Sequence, residues 1–358
     1  MKFDYTEEQQ LVADSVRRFV AQDYAFETRK RIVASKEGWS RDVWSKLAQI
    51  GLLGLPFPAD YGGFGGRAVD MMSVMEAFGD ALVVEPYLST VGLAGRLVAR
   101  AGTEAQKREL LPAVAEGRLV LAFAHSGDAT SDGSALNGRK RVVMHAPCAD
   151  TLVVSARVGA TPGLFLVDAR ARGVAMTPYV TLDSMRAADV DLSDAPAVRL
   201  GEGDDATAAI EEAIDYATAL LCAEAVGAMK SANDATLEYL KTRKQFGVPI
   251  GFFQALQHRM VDMVIDCEQA RSMASLACAR VDAESDAAER SRIVSAAKIK
   301  IADAARHISQ ESVQLHGGMG MSDELKVSHT FRRLTVIARE WGDVDHHLER
   351  FARVSTLR

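Results

Sequence analysis

The sequence predicts an α+β protein, mostly α, with an α-helical domain at residues 1–117, a β-domain at 118–202 and a four-helix bundle at 203–358. Two observations predict it. Eight of the nine prolines lie between Pro56 and Pro196, and only Pro249 interrupts the remainder of the chain. An interior proline costs a helix about 3 kcal/mol, so proline-free stretches permit long helices. The hydrophobic period also changes along the chain, from 3.6 residues to short β-branched runs and back to 3.6.

Each element has a local reason. Thr6 and Gln9 are spaced for a reciprocal capping box, followed by the apolar stripe Leu11, Val12, Val16, Phe19 and Val20. Ser40 caps a second helix that carries Val43, Leu47 and Ile50 and ends at Gly51. A further helix carries Met71, Met72, Met75, Phe78 and Leu82, where the methionines read as core filling. Thr103 and Gln106 form a second box ahead of Leu110 and Leu111.

In the middle third, residues 119–124, 141–146, 151–158, 164–167 and 188–192 are strand-like runs separated by Gly, Pro, Asn and Asp. No helix falls between them, which predicts an antiparallel sheet. Beyond residue 204 the stripe Ile210, Ile214, Leu221 and Met229 runs to a break at Gly247–Pro249. Helices are expected from Phe252 to about Val281, from Ala287 to Leu315, and over much of 323–358. Four helices with short joins make an antiparallel bundle.

Composition narrows the function. A net charge of −6 argues against nonspecific binding to nucleic acid or anionic membrane. No apolar run is long enough to span a bilayer, and the charged start MKFDYTEEQQ is unlike a signal peptide. Cys148, Cys222, Cys267 and Cys278 are widely spaced with no CxxC pair, so they read as buried thiols in a reducing, cytoplasmic setting.

Four motifs stand out. Gly62–Gly66 (GGFGG) lacks the Lys-Ser/Thr of a phosphate-binding loop and reads as a structural turn. Arg243-Lys244-Gln245-Phe246-Gly247 places two cations at the end of a long helix. They complement the helix dipole, or Arg243 reaches a phosphate across a subunit boundary. Gln314-Leu315-His316-Gly317-Gly318-Met319-Gly320 has three glycines within four residues, one of which would suffice for a cap. The others imply close approach of a helix or a pyrophosphate. Asp343, Asp345, His346 and His347 suggest zinc, but no second ligand cluster accompanies them, and capping accounts for the carboxylates.

Taken in order, these segments resemble the acyl-CoA dehydrogenase family along essentially the whole chain. The resemblance rests on Pro58–Gly63, Gly102–Lys107 with Leu111-Pro112, Asn137–Lys140, Arg243–Gly247 and Gln314–Gly320. Gly38-Trp39-Ser40, Leu221–Met229, Tyr239–Ile250 and Gly342–Leu348 are similar, more narrowly, to the small subunit of pimeloyl-CoA dehydrogenase and like heteromeric acyl-CoA dehydrogenases. The resemblance implies an acyl-CoA dehydrogenase-like fold, assembled as a homo-oligomer or as a heterotetramer with a longer subunit. It also implies FAD between β-domain and bundle, acyl-CoA as substrate, and electron-transfer flavoprotein as acceptor.

On that pattern Arg243, Gln245 and Phe246 contact the FAD pyrophosphate and adenine side, and Gln314, Gly317 and Gly318 meet the same moiety across the interface. His125, Asp343 and Asp345 complete the cofactor set, and Ser131 lies on the substrate side. In such enzymes a carboxylate takes the α-proton of the thioester while the β-hydrogen leaves as hydride to the flavin, giving a 2-enoyl-CoA.

The chain departs from the family pattern in three places. His125-Ser126-Gly127-Asp128-Ala129-Thr130-Ser131-Asp132 replaces Thr-Glu-Pro-Gly-x-Gly-Ser-Asp, and the run to Asn137-Gly138 implies a shortened β-domain lacking about one hairpin. Val142-Val143-Met144 replaces Trp-x-Thr. Trp341 stands where the catalytic Glu should precede Gly342, while Ala217 and Thr218 stand at the alternative base and its arginine partner. Neither indole nor methyl accepts a proton, which leaves Glu340 as the nearest candidate base, although one residue along a helix turns a side chain by about 100°. The departures together imply a small, base-lacking subunit. A noncatalytic scaffold subunit, or a flavin monooxygenase on the same fold, are the alternatives.

Overall fold

The computed structural model describes residues 6–203 and 205–356. The helices of the first third are α1 (Glu7–Asp23), α2 (Phe26–Ala34), α3 (Arg41–Gln49), α4 (Ala68–Ala81), α5 (Gly95–Ala101) and α6 (Glu104–Ala115). Eight strands follow: β1 (Leu121–Ala124), β2 (Ala129–Ser131), β3 (Ala135–Met144), β4 (Thr151–Val158), β5 (Thr161–Asp168), β6 (Val174–Val180), β7 (Arg186–Pro196) and β8 (Val198–Arg199). The chain then forms α7 (Thr207–Thr242), a ribbon of β9 (Lys244–Gln245) and β10 (Val248–Pro249), α8 (Gln254–Arg280), α9 (Ala287–His316), α10 (Lys326–Ile337) and α11 (Val344–Thr356).

These elements pack as two compact units. The bundle unit takes residues up to 29, 67–83 and 218 onward; the β unit takes 30–66 and 84–217.

In the bundle unit the predicted capping box forms, with Thr6 Oγ1 accepting from the Gln9 N–H at 3.2 Å and Gln9 Oε1 accepting from the Thr6 N–H at 3.0 Å. Helix α1 buries Ala13, Val16 and Phe19, and α9 packs against α8, α10 and α11. Helices α4 and α7 touch backbone to backbone: a Cβ added at Gly79 would lie 1.9 Å from the Glu224 carbonyl oxygen, and one at Gly227 would lie 1.8 Å from that of Glu76. Gly227→Ala must therefore separate two helices, and is expected to lower stability by about 1–3 kcal/mol. Urea unfolding followed by circular dichroism checks this; an unchanged midpoint would show that the crossing is loose.

The last predicted helix is two. Trp341 (φ +59°) and Gly342 (φ +110°) take left-handed backbone after α10, and α11 restarts with Asp343 Oδ1 accepting from the His346 N–H at 3.0 Å. Two successive residues outside the right-handed region end a helix whatever the apolar periodicity.

The β unit holds an eight-stranded sheet in the order β6-β7-β3-β2-β4-β5-β8, with β1 also on β4. Its core includes Leu136, Val143, Leu152, Val154, Phe165 and Val190. The expectation of a purely antiparallel sheet is corrected: β1 and β2 both pair with β4 in parallel. The chain leaves β1, makes the antiparallel β2–β3 hairpin and returns before β4, a connection longer than the dozen or so residues a parallel pair needs. Strand β6, which the sequence did not predict, is an edge strand that tolerates Pro178.

Ser40 Oγ caps α3 through the Val43 N–H at 3.3 Å, and the Thr103–Gln106 box caps α6. The GGFGG segment is the expected turn, where a Cβ at Gly63 would lie 2.0 Å from the Phe57 carbonyl oxygen. All four cysteines are buried free thiols, and burial pushes Cys148, Cys222 and Cys267 up to about 12. Among the described residues no helix is long and apolar enough to cross a membrane.

Candidate functional site

In the bundle unit, α7 stops at Thr242, so Arg243 and Lys244 lie beyond the helix and do not form its last turn. The Lys244–Gln245 strand pairs with Val248–Pro249 around Phe246 (φ +54°) and Gly247 (φ +84°). Positive φ at both central residues is the mirror-image turn that suits a two-residue hairpin. Arg243, Lys244, Gln245 and Phe246 are all exposed, Phe246 at 91%, and its ring meets that of Phe253 edge-on at 6.1 Å.

At the end of α9, His316 is an interior residue: its ring stacks on Tyr239 at 4.4 Å and its Nδ1 lies 2.8 Å from the Ser312 carbonyl oxygen. Gln314 is exposed, and the Gly317 N–H closes the helix on its carbonyl. Gly317 takes φ +61°, while a Cβ at Gly317 or Gly318 would meet nothing within 4 Å. Only Gly320 is crowded from within, 2.6 Å from the Val313 carbonyl oxygen. The backbone at 317–318 is thus bare and open on its outer side.

The turn after α10 is braced from below. Lys298, fully buried on α9, donates to the carbonyl of Ile337 and to that of Glu340 at 2.8 Å. His347 Nε2 lies 3.1 Å from the Trp341 carbonyl oxygen, with Nδ1 3.2 Å from Ser295 Oγ. Burial, then the charge on Lys298, pushes His347 down to about 3, so it stays neutral and donates to the Trp341 carbonyl from Nε2. Burial also lowers the Lys298 ammonium from its ordinary value.

Glu340 does not extend from a helix face but lies in this turn, with Oε2 3.5 Å from Arg333 Nη1. Arg333 in turn holds Glu224 of α7 through Nε at 2.6 Å and Nη2 at 2.9 Å. The guanidinium is 4% exposed and the Glu224 carboxylate 6%, so this is a buried ion pair with Glu340 at its edge. Sequence reading passed over it; the one signal was Glu224 as a lone charge inside the apolar run Leu221–Met229.

Asp343 and Asp345 are exposed at the start of α11. Asp343 is committed to its cap, and the hydrogen bond from the His346 N–H holds its carboxyl below the usual range. Both border a cleft of about 450 Å³ that also takes in Asp303, Arg306, Gln310 and Arg339. Among the described residues no group of three or more His, Cys, Asp or Glu side chains could hold a metal ion.

In the β unit, His125 follows β1 and its ring stacks on Phe123 at 5.2 Å. Its Nδ1 lies 2.9 Å from Ser155 Oγ on β4. Lys140 of β3 reaches under this loop, donating to the carbonyls of His125 (2.8 Å) and Gly127 (2.9 Å) and to Ser155 Oγ (3.5 Å). Burial pushes Lys140 down to about 8, against the charge of Asp128, and burial together with Lys140 lowers His125. Ser131 Oγ is used within its own loop, donating to the Ala135 carbonyl at 3.2 Å and accepting from the Gly133 N–H at 3.0 Å. Val142 sits on a bulge between β3 and β7 with φ +50°, its side chain 58% exposed. Ala217 and Thr218 are buried in α7.

Helices, an eight-stranded sheet and a terminal helical bundle, with a bare glycine platform and an exposed arginine ribbon, define the class in structural terms. Residues 6–118 match the model of the acyl-CoA dehydrogenase N-terminal domain, and residues 205–355 that of the acyl-CoA dehydrogenase C-terminal domain. The chain belongs to the acyl-CoA dehydrogenase family. Acyl-CoA dehydrogenase FadE12 of Mycobacterium tuberculosis is 31% identical over 94% of each chain. The ChsE4-ChsE5 complex from Mycobacterium tuberculosis is similar in structure with a TM-score of 0.92, 26% identity and full coverage of both chains. The FAD complex of PigA is similar with a TM-score of 0.90, 25% identity and full coverage of both chains.

Proposed function

We propose that this chain is the small, base-lacking subunit of a heteromeric, FAD-dependent acyl-CoA dehydrogenase, which converts an acyl-CoA thioester to its 2-enoyl-CoA with the base supplied by a longer partner. The observation that carries the proposal is the commitment of Glu340. The carboxylate nearest the Trp341 position faces Arg333 at the edge of a buried ion pair, so it does not substitute for the missing base.

The residues present divide in their fit to FAD. The exposed Arg243 guanidinium, the Gln245 amide and the open backbone at Gly317 and Gly318 suit an anionic, extended group arriving from outside this chain. Arg243, Gln245 and Phe246 would then hold the pyrophosphate and adenine side, with Gln314 beside them; FAD supplies the hydride acceptor when bound. At three positions this chain's own ring-side set does not fit. Val142 offers an isopropyl group on a bulge, the Asp343 carboxylate is already committed to its cap, and Trp341 cannot move a proton. No step is therefore assigned to this chain's own surface. Its role is to bind and orient the cofactor, as the similarity to one chain of the ChsE4-ChsE5 complex supports.

The test is visible absorbance of the chain purified alone and co-expressed with a longer family member, before and after anaerobic addition of medium-chain and dicarboxylic acyl-CoA. The lone chain is expected to be colourless, or yellow without bleaching, and the complex to bleach. A lone chain whose flavin bleaches with either thioester would overturn the proposal.

A further inference from the structure

We propose that Lys140 and Ser155 are positioning residues that hold His125 as the neutral Nε2–H tautomer, presenting it as a hydrogen-bond donor to a carbonyl oxygen or ring nitrogen of the bound ligand. The proposal follows from a count of protons. The Lys140 ammonium has three, and three acceptors surround it: the carbonyls of His125 and Gly127 and the Ser155 hydroxyl oxygen. Ser155 Oγ has one proton and two neighbours able to accept it, His125 Nδ1 at 2.9 Å and the His125 carbonyl at 3.5 Å.

The shorter contact wins for two reasons. That carbonyl already receives a Lys140 proton at 2.8 Å, and the cation behind the hydroxyl oxygen polarises it to donate. The opposite tautomer would bring two N–H donors onto one hydroxyl oxygen and leave its own proton on the 3.5 Å contact. Nδ1 is therefore the acceptor and Nε2 carries the proton. The ring is locked in place by stacking on Phe123 and is only partly buried, and Nε2 has no partner among the described residues. A neutral N–H offers a donor to an acceptor atom without adding a charge to the site. That the ligand is the flavin or thioester of the proposed heteromer rests on the reading above.

The experiment is two-bond proton–nitrogen correlation NMR on histidine-labelled protein at neutral pH, the His125 signals being assigned by their loss in His125→Gln. A pyridine-type Nδ1 and a pyrrole-type Nε2 are expected in the unsubstituted chain, a reading that needs no variant to fold. Ser155→Ala is expected to collapse both signals towards a mixture of tautomers, and Lys140→Met to do the same more weakly. A pyrrole-type Nδ1, or a tautomer unmoved by Ser155→Ala, would overturn the relay. In the co-expressed complex the Nε2–H proton is expected to shift when FAD is present. A flavin-loaded complex without that shift would overturn the donor role. A complex that binds no FAD while the tautomer stands as expected upholds the relay and refutes the functional reading.

Discussion

Arg333→Leu is expected to destabilise the chain by about 3–5 kcal/mol, more than any other single change considered. The guanidinium is 4% exposed and joined to Glu224 by two hydrogen bonds, with Glu340 Oε2 a further 3.5 Å contact. Removing it leaves Glu224 buried without its cation and Glu340 without the group that turns it inward. The attraction itself supplies little of this figure. Both charges were stripped of water on folding, and only the stranded partner makes the loss large. The double variant Glu224→Leu/Arg333→Leu is accordingly expected to recover most of the stability. A double-mutant cycle of denaturant unfolding checks both expectations. Equal losses in the single and double variants would show that packing, not stranded charge, governs this site.

Arg243→Ala is expected to do the reverse, leaving the chain's stability within about 0.5 kcal/mol of the original while stripping cofactor from the assembled enzyme. The side chain is exposed on its ribbon, so its loss disturbs no core. A charge-assisted hydrogen bond to phosphate is worth about 1.5–3 kcal/mol, which corresponds to roughly a 10- to 150-fold weaker hold on FAD. Arg243→Lys should fall between, because an ammonium keeps the charge but not the two-pronged geometry. FAD content after gel filtration of the co-expressed complex, and its titration by fluorescence, are the measurements. Unchanged FAD affinity in Arg243→Ala would remove this chain from the cofactor site.

What the sequence made legible is what neighbouring residues decide. The Thr6–Gln9 and Thr103–Gln106 boxes, the Ser40 cap and the Gly51 stop all depend on groups within four positions, and each forms as expected. Contacts between distant positions were not legible. Nothing near Glu224 indicates a partner at Arg333, and nothing near β1 indicates a parallel neighbour beginning at Thr151. The apolar stripe between residues 323 and 358 hid a break, because Trp rarely takes left-handed backbone and the contacts from Lys298 on another helix and from His347 are not visible in the local pattern. At the candidate site, the exposed stretches at Arg243 and Gln314 were readable as motifs. The Lys140–Ser155–His125 chain was not, since it joins three strands' worth of sequence through space.

The turn at Trp341 has an evolutionary consequence. A non-glycine residue in left-handed backbone carries a strain of order 1–3 kcal/mol, and selection keeps such strain only where the surroundings over-determine it. Here Lys298 and His347, the latter backed by Ser295, bond to the main-chain carbonyls of the turn. Main-chain contacts of this kind do not depend on which side chain stands at position 341. Under the proposed reading, a copy of an ancestral catalytic chain can lose its base at this position while these main-chain contacts of the turn stay in place, the other departures being separate changes.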